Sequence, residues 1–143
     1  MIETMAPTNI HKPVGAYSHV VKASAKTLVF VAGQVPVDKE GNVVGVDAND
    51  KLKNHQTIDL AAQVRQTMLN VEAALKDAGA SLQNLVRVDT FVVASAMNEY
   101  RTVGNKAKNE MLRGLAIGGA TVFVAGLMIP EALIEIAAIA AID

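Results

Sequence analysis

Ten residues near the C-terminus, Leu133-Ile-Glu-Ile-Ala-Ala-Ile-Ala-Ala-Ile142, constrain the fold of this chain more than any other feature. Read with a period of two, one face carries Leu133, Glu135, Ala137, Ile139 and Ala141, and the other carries Ile134, Ile136, Ala138, Ala140 and Ile142. Both faces are apolar, so the segment reads as a strand covered on both sides. A helix layer can cover one side. If helices cover only that side, the economical cover for the other is a second copy of the chain, which predicts a homo-oligomer with its sheets packed together inside. An inner strand of a larger monomeric sheet is the alternative.

The rest of the chain supplies the helices. Leu60, Val64, Met68, Val71, Leu75 and Ala78 recur at spacings of three and four, which predicts an amphipathic helix from Thr57, stopped at Gly79. Its polar face is expected to hold Asp59, Gln63, Arg65, Gln66, Asn70, Glu72 and Lys76. Leu85–Val93 alternates as a strand, and Ser95 is placed to cap a second helix running to about Leu112. Upstream, Tyr17–Lys22 and Thr27–Ala32 read as a β-hairpin, with Gly33–Pro36 leaving the sheet. Asp38–Asn42 has turn chemistry and Val43–Asn54 is polar and irregular. Strands around Ala120–Ala125 and Leu133–Ile142 close the order β-β-α-β-α-β-β. The expected class is α+β: one domain over residues 1–143, with two helices on one face of a mixed sheet of four to six strands.

Composition narrows the chemistry. The 143 residues include no cysteine, which excludes disulfides, thiolate nucleophiles and Cys-ligated metal centres. Three histidines, His11, His19 and His55, leave a metal site thinly supplied, and none is expected. A net charge of −1 and five aromatic residues argue against nucleic acid as partner. The N-terminus has neither the basic nor the apolar region of a signal peptide. Leu115–Ile129 is uncharged but broken by Gly118, Gly119 and Gly126, so it reads as buried strand and not as a membrane span. A cytoplasmic protein without a membrane partner is expected.

Glu135 is the first candidate for chemistry. A carboxylate on an otherwise apolar strand must be paired, hydrogen-bonded or protonated; burial would raise its pKa and suit it to general acid–base work or water activation. A structural acid paired with a lysine or arginine, or one facing a solvated channel, fits the same pattern. Tyr17 and His19, two apart on one face of the first expected strand, could offer a hydroxyl and an imidazole to one ligand, though an exposed edge pair has the same spacing. Arg101 and Arg113 could bind a carboxylate but fit solvated helix positions equally. Gly114–Gly119 could expose backbone N–H groups to an anion, but it has neither the glycine order nor the following helix of a dinucleotide or phosphate loop.

Five segments in order give the chain a resemblance. Pro13-Val-Gly-Ala-Tyr-Ser-His19, Phe30-Val-Ala-Gly-Gln-Val-Pro36, Asn70–Leu82, Val122-Phe-Val-Ala-Gly-Leu127 and Ile134–Ala140 together resemble the Rid family, the YjgF or L-PSP endoribonuclease-like group. That resemblance implies a chorismate-mutase-like α+β fold, assembled as a homotrimer around an inner β-barrel with ligand clefts between subunits. It also implies hydrolysis of enamines and imines of small 2-oxo acids without metal or organic cofactor. In such a cleft a glutamate positions water, an arginine holds the substrate carboxylate, and a tyrosine lines the wall.

Glu135 matches the glutamate and Tyr17 the tyrosine. The arginine's place falls on Gly119, in Ile117-Gly-Gly-Ala-Thr121, and the serine of the second-strand motif is replaced by Ala32. The loop before Glu135 is one residue longer, and a second glutamate becomes Ala137. The chain therefore resembles an arginine-less branch, with Glu135 catalytic and Tyr17, His19, Ala32, Gly118 and Gly119 binding substrate. The leading expectation is an enamine or imine deaminase acting on a small organic molecule outside the usual set, such as an aminomuconate-type compound. A non-catalytic binding or regulatory trimer is the alternative, and a ribonuclease or translation inhibitor ranks third.

Overall fold

The computed structural model describes residues 1–47 and 57–143. His55 and most of the irregular stretch expected over Val43–Asn54 lie outside the described residues. Strands β1 (Ile2–Met5) and β2 (Val20–Ala23) pair antiparallel as a separate two-stranded sheet. The main sheet has the order β3-β6-β4-β5, built from β3 (Thr27–Gln34), β4 (Leu85–Val93), β5 (Thr121–Val124) and β6 (Ile134–Ile142). β6 is antiparallel to both neighbours, and β5 runs parallel to β4. The expected class is correct, a mixed sheet with helices on one face.

The expected hairpin is not. β2 pairs with the N-terminal segment, and β3 pairs with β6, its apolar Leu28, Val29 and Phe30 facing Ala141, Ala140 and Ile139 there. β3 also continues through Gly33 to Gln34, with an irregularity after Val31. Leu115–Ile129 is not a buried strand: four residues join the sheet, and Met128 is 94% exposed. Among the described residues no helix is long and apolar enough to cross a membrane.

Helix α1 (Leu60–Asp77) starts where the Asp59 carboxylate accepts from the Ala62 N–H at 3.0 Å, so Asp59 is the cap and not a face residue. It ends at Gly79, whose φ of +76° suits glycine. Its buried stripe includes two polar residues. Gln63 and Thr67 are fully buried, against the expectation that Gln63 faces solvent. Hydrogen bonding explains the burial. The Gln63 amide donates to the Val44 and Glu131 carbonyls and accepts from the Leu133 N–H at 2.8 Å. Asn70 similarly donates to the carbonyls of Val35 and Val37. These two amides fasten the segment after β3 and the segment before β6 to the helix.

The second helical region is broken into α2 (Met97–Glu99), a π-helical segment (Tyr100–Gly104) and α3 (Asn105–Met111). Ser95 lies inside the preceding 3₁₀ turn, and the position that caps α2 is Ala96. Gly104 makes room for Tyr100: a Cβ there would meet the Tyr100 ring at 2.5 Å and Leu60 at 3.1 Å. Ile134, Ile136, Ala138 and Ala140 of β6 are buried under the helices. The opposite face leaves Leu28 56% and Phe30 70% exposed, as expected of a surface awaiting cover.

Candidate functional site

The residues expected to act together fall in two places. Glu135 lies on the open face of the sheet, opposite Phe91 of β4 and half-buried, not buried as an isolated strand pattern suggests. Its carboxylate rests on Gly33 of β3, where a Cβ would lie 2.9 Å from both Cδ and Oε1. Glycine at position 33 is what lets the carboxylate fold down against the strand. Beside it, Phe30, Ala32, Asp89, Ala137 and Ile139 line an open hollow of about 350 Å³. Ala32 thus belongs to the same face as Glu135.

Tyr17, His19, Gly118 and Gly119 gather at the other edge of β4. Tyr17 and His19 precede β2 and are not strand residues, yet their rings meet edge to face at 5.4 Å. His11, which the sequence pattern did not single out, completes the group: its ring lies 4.9 Å from that of His19, and its carbonyl is 2.8 Å from His19 Nε2. Gly118 bridges Arg87, and the loop is held along β4 by Val88 N–H to the Gly118 carbonyl and Thr90 N–H to that of Ala120. From Arg87 to Phe91, the register of Glu135, is four residues, about 13 Å of strand. Within one chain, the loop that carries Gly118 and the Glu135 position are therefore set apart along β4.

Gly119 is not a vacant arginine position. Its φ is +148°, and a Cβ would fall 1.8 Å from the Val88 carbonyl oxygen. The backbone lies where a side chain would begin. Neither arginine considered from the sequence replaces it: Arg113 pairs with Glu72 at 3.1 Å, and the Arg101 guanidinium sits over the Phe123 ring at 5.4 Å.

A cavity of about 320 Å³ opens between this loop, the Val14–Tyr17 segment and α3. Tyr17 and Gly119 line it, joined by residues that sequence reasoning missed: Lys108, Asn105, Asn109 and Thr121. Lys108 Nζ donates to Thr90 Oγ1 at 3.2 Å and lies 5.8 Å from the centre of the Tyr100 ring. Burial lowers its pKa to about 8. Burial likewise pushes the Tyr100 hydroxyl up to about 12, with a smaller opposing pull from Thr121 and Thr90. That hydroxyl has no hydrogen bond of good geometry. No residue spacing marks Lys108, which sits between Ala107 and Asn109 beyond the π-helical turn of Tyr100–Gly104. Among the described residues no group of acidic and histidine side chains could hold a metal.

The α+β layers, with two helical regions on one face of a mixed sheet and the edge loop paired to β4, define the fold class. Comparison assigns the family: residues 8–142 match the model of the endoribonuclease L-PSP family, and the chain belongs to it, the Rid group of the sequence resemblance. A RutC family protein of Pyrococcus horikoshii is 34% identical over 101 residues, covering 70% of this chain and 68% of that protein. The 2-iminobutanoate/2-iminopropanoate deaminase of Escherichia coli is 30% identical over 104 residues, 72% of this chain and 68% of the enzyme. The crystal structure of the Rid family protein YyfB from Yersinia pestis superposes with a TM-score of 0.81 at 26% identity, covering 99% and 98% of the two chains.

Proposed function

We propose that this single-domain chain is a cytoplasmic, cofactor-independent hydrolase of a small imine or enamine, working in a cleft that two copies complete within a homotrimer. The observation that carries the reading is Glu135, a carboxylate set on an apolar sheet face over Gly33. In this mechanism Glu135 accepts a proton from water as the oxygen attacks the C=N carbon. The resulting carbinolamine collapses, its nitrogen takes up a proton, and ammonia leaves with the carbonyl product. Tyr17, with His19 against it, lines the ligand wall from the neighbouring copy, a reading supported by the spacing of the Gly118 loop and Glu135 along β4. Relatives named as 2-imino acid deaminases support this substrate class more than an aminomuconate-type compound.

The exposed apolar side chains Leu28 and Phe30 at one edge of the open sheet face and Val122 at the other support the assembly, because large apolar groups left on a sheet face favour cover by a second copy. Gly119 at the arginine's place favours a second reading, a trimer that binds its ligand without turning it over. Ammonia release separates the two. An amino-acid oxidase generates 2-imino acids in situ, and wild type is run beside Glu135→Ala. Ammonia release faster than spontaneous hydrolysis, lost in a Glu135→Ala protein of unchanged melting temperature, establishes the hydrolase. Wild-type release no faster than the uncatalysed rate leaves the binding protein.

A further inference from the structure

The cavity against α3 holds a cation and nothing to balance it. Its walls include no aspartate or glutamate, and Lys108 is the one charged side chain among the residues lining it. Among the described residues no carboxylate lies within ion-pairing distance of Nζ, whereas Arg87 and Arg113 have theirs. The nearest acid in sequence register, Asp89, is already committed: one oxygen accepts from Arg87 Nε at 2.7 Å and the other from the Ala120 N–H at 3.0 Å. Lys108 uses one of its three N–H groups on Thr90 and sets its charge toward the Tyr100 ring, a weak neutral contact. A half-buried ammonium on a cavity wall, with N–H groups directed to no other side chain, is suited to receive an anion.

We infer that this cavity is a binding site for a small monocarboxylate, whose anionic end meets Lys108 Nζ and whose carbon skeleton lies against Val88, Leu112 and Ile117. The single cation selects one negative charge. The volume, about 320 Å³, stands at the small end of ligand pockets, which run from roughly 300 to 1,000 Å³. Asn105 and Asn109, on α3 with Lys108, add amide groups for a polar substituent next to the carboxylate. The inference rests on the proposed function for the place of the ligand, not for its hydrolysis.

The test is calorimetric titration of the intact protein with acetate, pyruvate and benzoate, with benzamide as the uncharged counterpart and inorganic phosphate as the other anion. Lys108→Met and Lys108→Arg are titrated alongside, each first checked for an unchanged fold and mass. At least one carboxylate is expected to bind wild type, to lose about ten- to a hundredfold in affinity in Lys108→Met, and to recover much of that in Lys108→Arg. Benzamide binding as tightly as benzoate, phosphate binding in preference to every carboxylate, no binding of any carboxylate, or equal affinity in Lys108→Met overturns the inference. Binding without ammonia release upholds this site and defeats the hydrolase; ammonia release with no Lys108-dependent binding does the reverse.

Discussion

Replacing Lys108 with methionine should make the protein more stable at neutral pH, by an amount that shrinks as pH rises. The lysine's pKa falls from 10.5 to about 8 through burial. At about 1.4 kcal/mol per unit, the charged form is disfavoured in the folded chain by ~3 kcal/mol. Methionine fills a similar volume without charge, but it gives up the hydrogen bond to Thr90, worth about 1 kcal/mol. The net gain is therefore ~1–2 kcal/mol, or a melting temperature about 3–6 °C higher. Below pH 8 the ammonium is charged in both folded and unfolded chains, and the full penalty applies. Above 10.5 it is neutral in both and the penalty is gone. Between those values the unfolded chain binds more protons, so wild-type stability climbs relative to the variant. Urea denaturation of both proteins from pH 7 to 10.5, at one protein concentration, isolates this contribution because every other group titrates alike in the pair. A stability difference that stays constant over that range, or a methionine variant less stable at pH 7, refutes the desolvated ammonium and with it the physical basis of the carboxylate site.

The two adjacent glycines of the edge loop should respond differently to alanine. Gly119→Ala meets the Val88 carbonyl and should cost more than about 3 kcal/mol, whereas Gly118→Ala, with its nearest atoms at 3.5 Å, should cost under about 1 kcal/mol by denaturant titration. Gln63→Leu keeps the volume but strands the Leu133 N–H and two carbonyls, a loss of ~3–5 kcal/mol in the same assay. Phe30→Asp, on the open sheet face, should lower the native mass of the assembly, and an unchanged mass would place the interface elsewhere. If Glu135 and Lys108 serve one cleft from different copies, co-assembled Glu135→Ala and Lys108→Met subunits should regain about a quarter of wild-type ammonia release, while each alone is inactive. No recovery would assign the two residues to separate sites.

Much of the architecture was legible because it follows from period. The Leu85–Val93 strand and the two-faced C-terminal strand were readable to within a residue, since long apolar alternation has few other uses. The hairpin was misread because a four-residue polar gap suits a tight turn, while strand pairing is decided by long-range apolar partners no local rule contains. Gln63 was misplaced for a related reason. An amide at a helical spacing looks solvated until the loop carbonyls it fastens are known. Of the site, Glu135 was legible as a lone carboxylate among alanines and isoleucines. Lys108 was not, because a lysine between Ala107 and Asn109 looks like a solvated helix face. The π-helical turn at Tyr100–Gly104 is what shifts the helix surface there.

The missing arginine and the unpaired lysine belong to one rearrangement. At Ile117–Thr121 the chain lies flat against β4, held by the two backbone hydrogen bonds at Val88 and Thr90 and by the Asp89 carboxylate on the Ala120 N–H. That close docking puts the Val88 carbonyl where a Cβ of residue 119 would stand, so a long cationic side chain and this loop path exclude one another. The same docking forms one wall of the cavity whose opposite wall is α3, and there Lys108 supplies the positive charge that the loop cannot. Restoring arginine at position 119 is therefore the wrong repair: it would push the loop off β4 and open the cavity before it could anchor a carboxylate. On the proposed reading the ligand's anionic end meets the helix and not the loop, and the groove between them is where this chain would select its ligand.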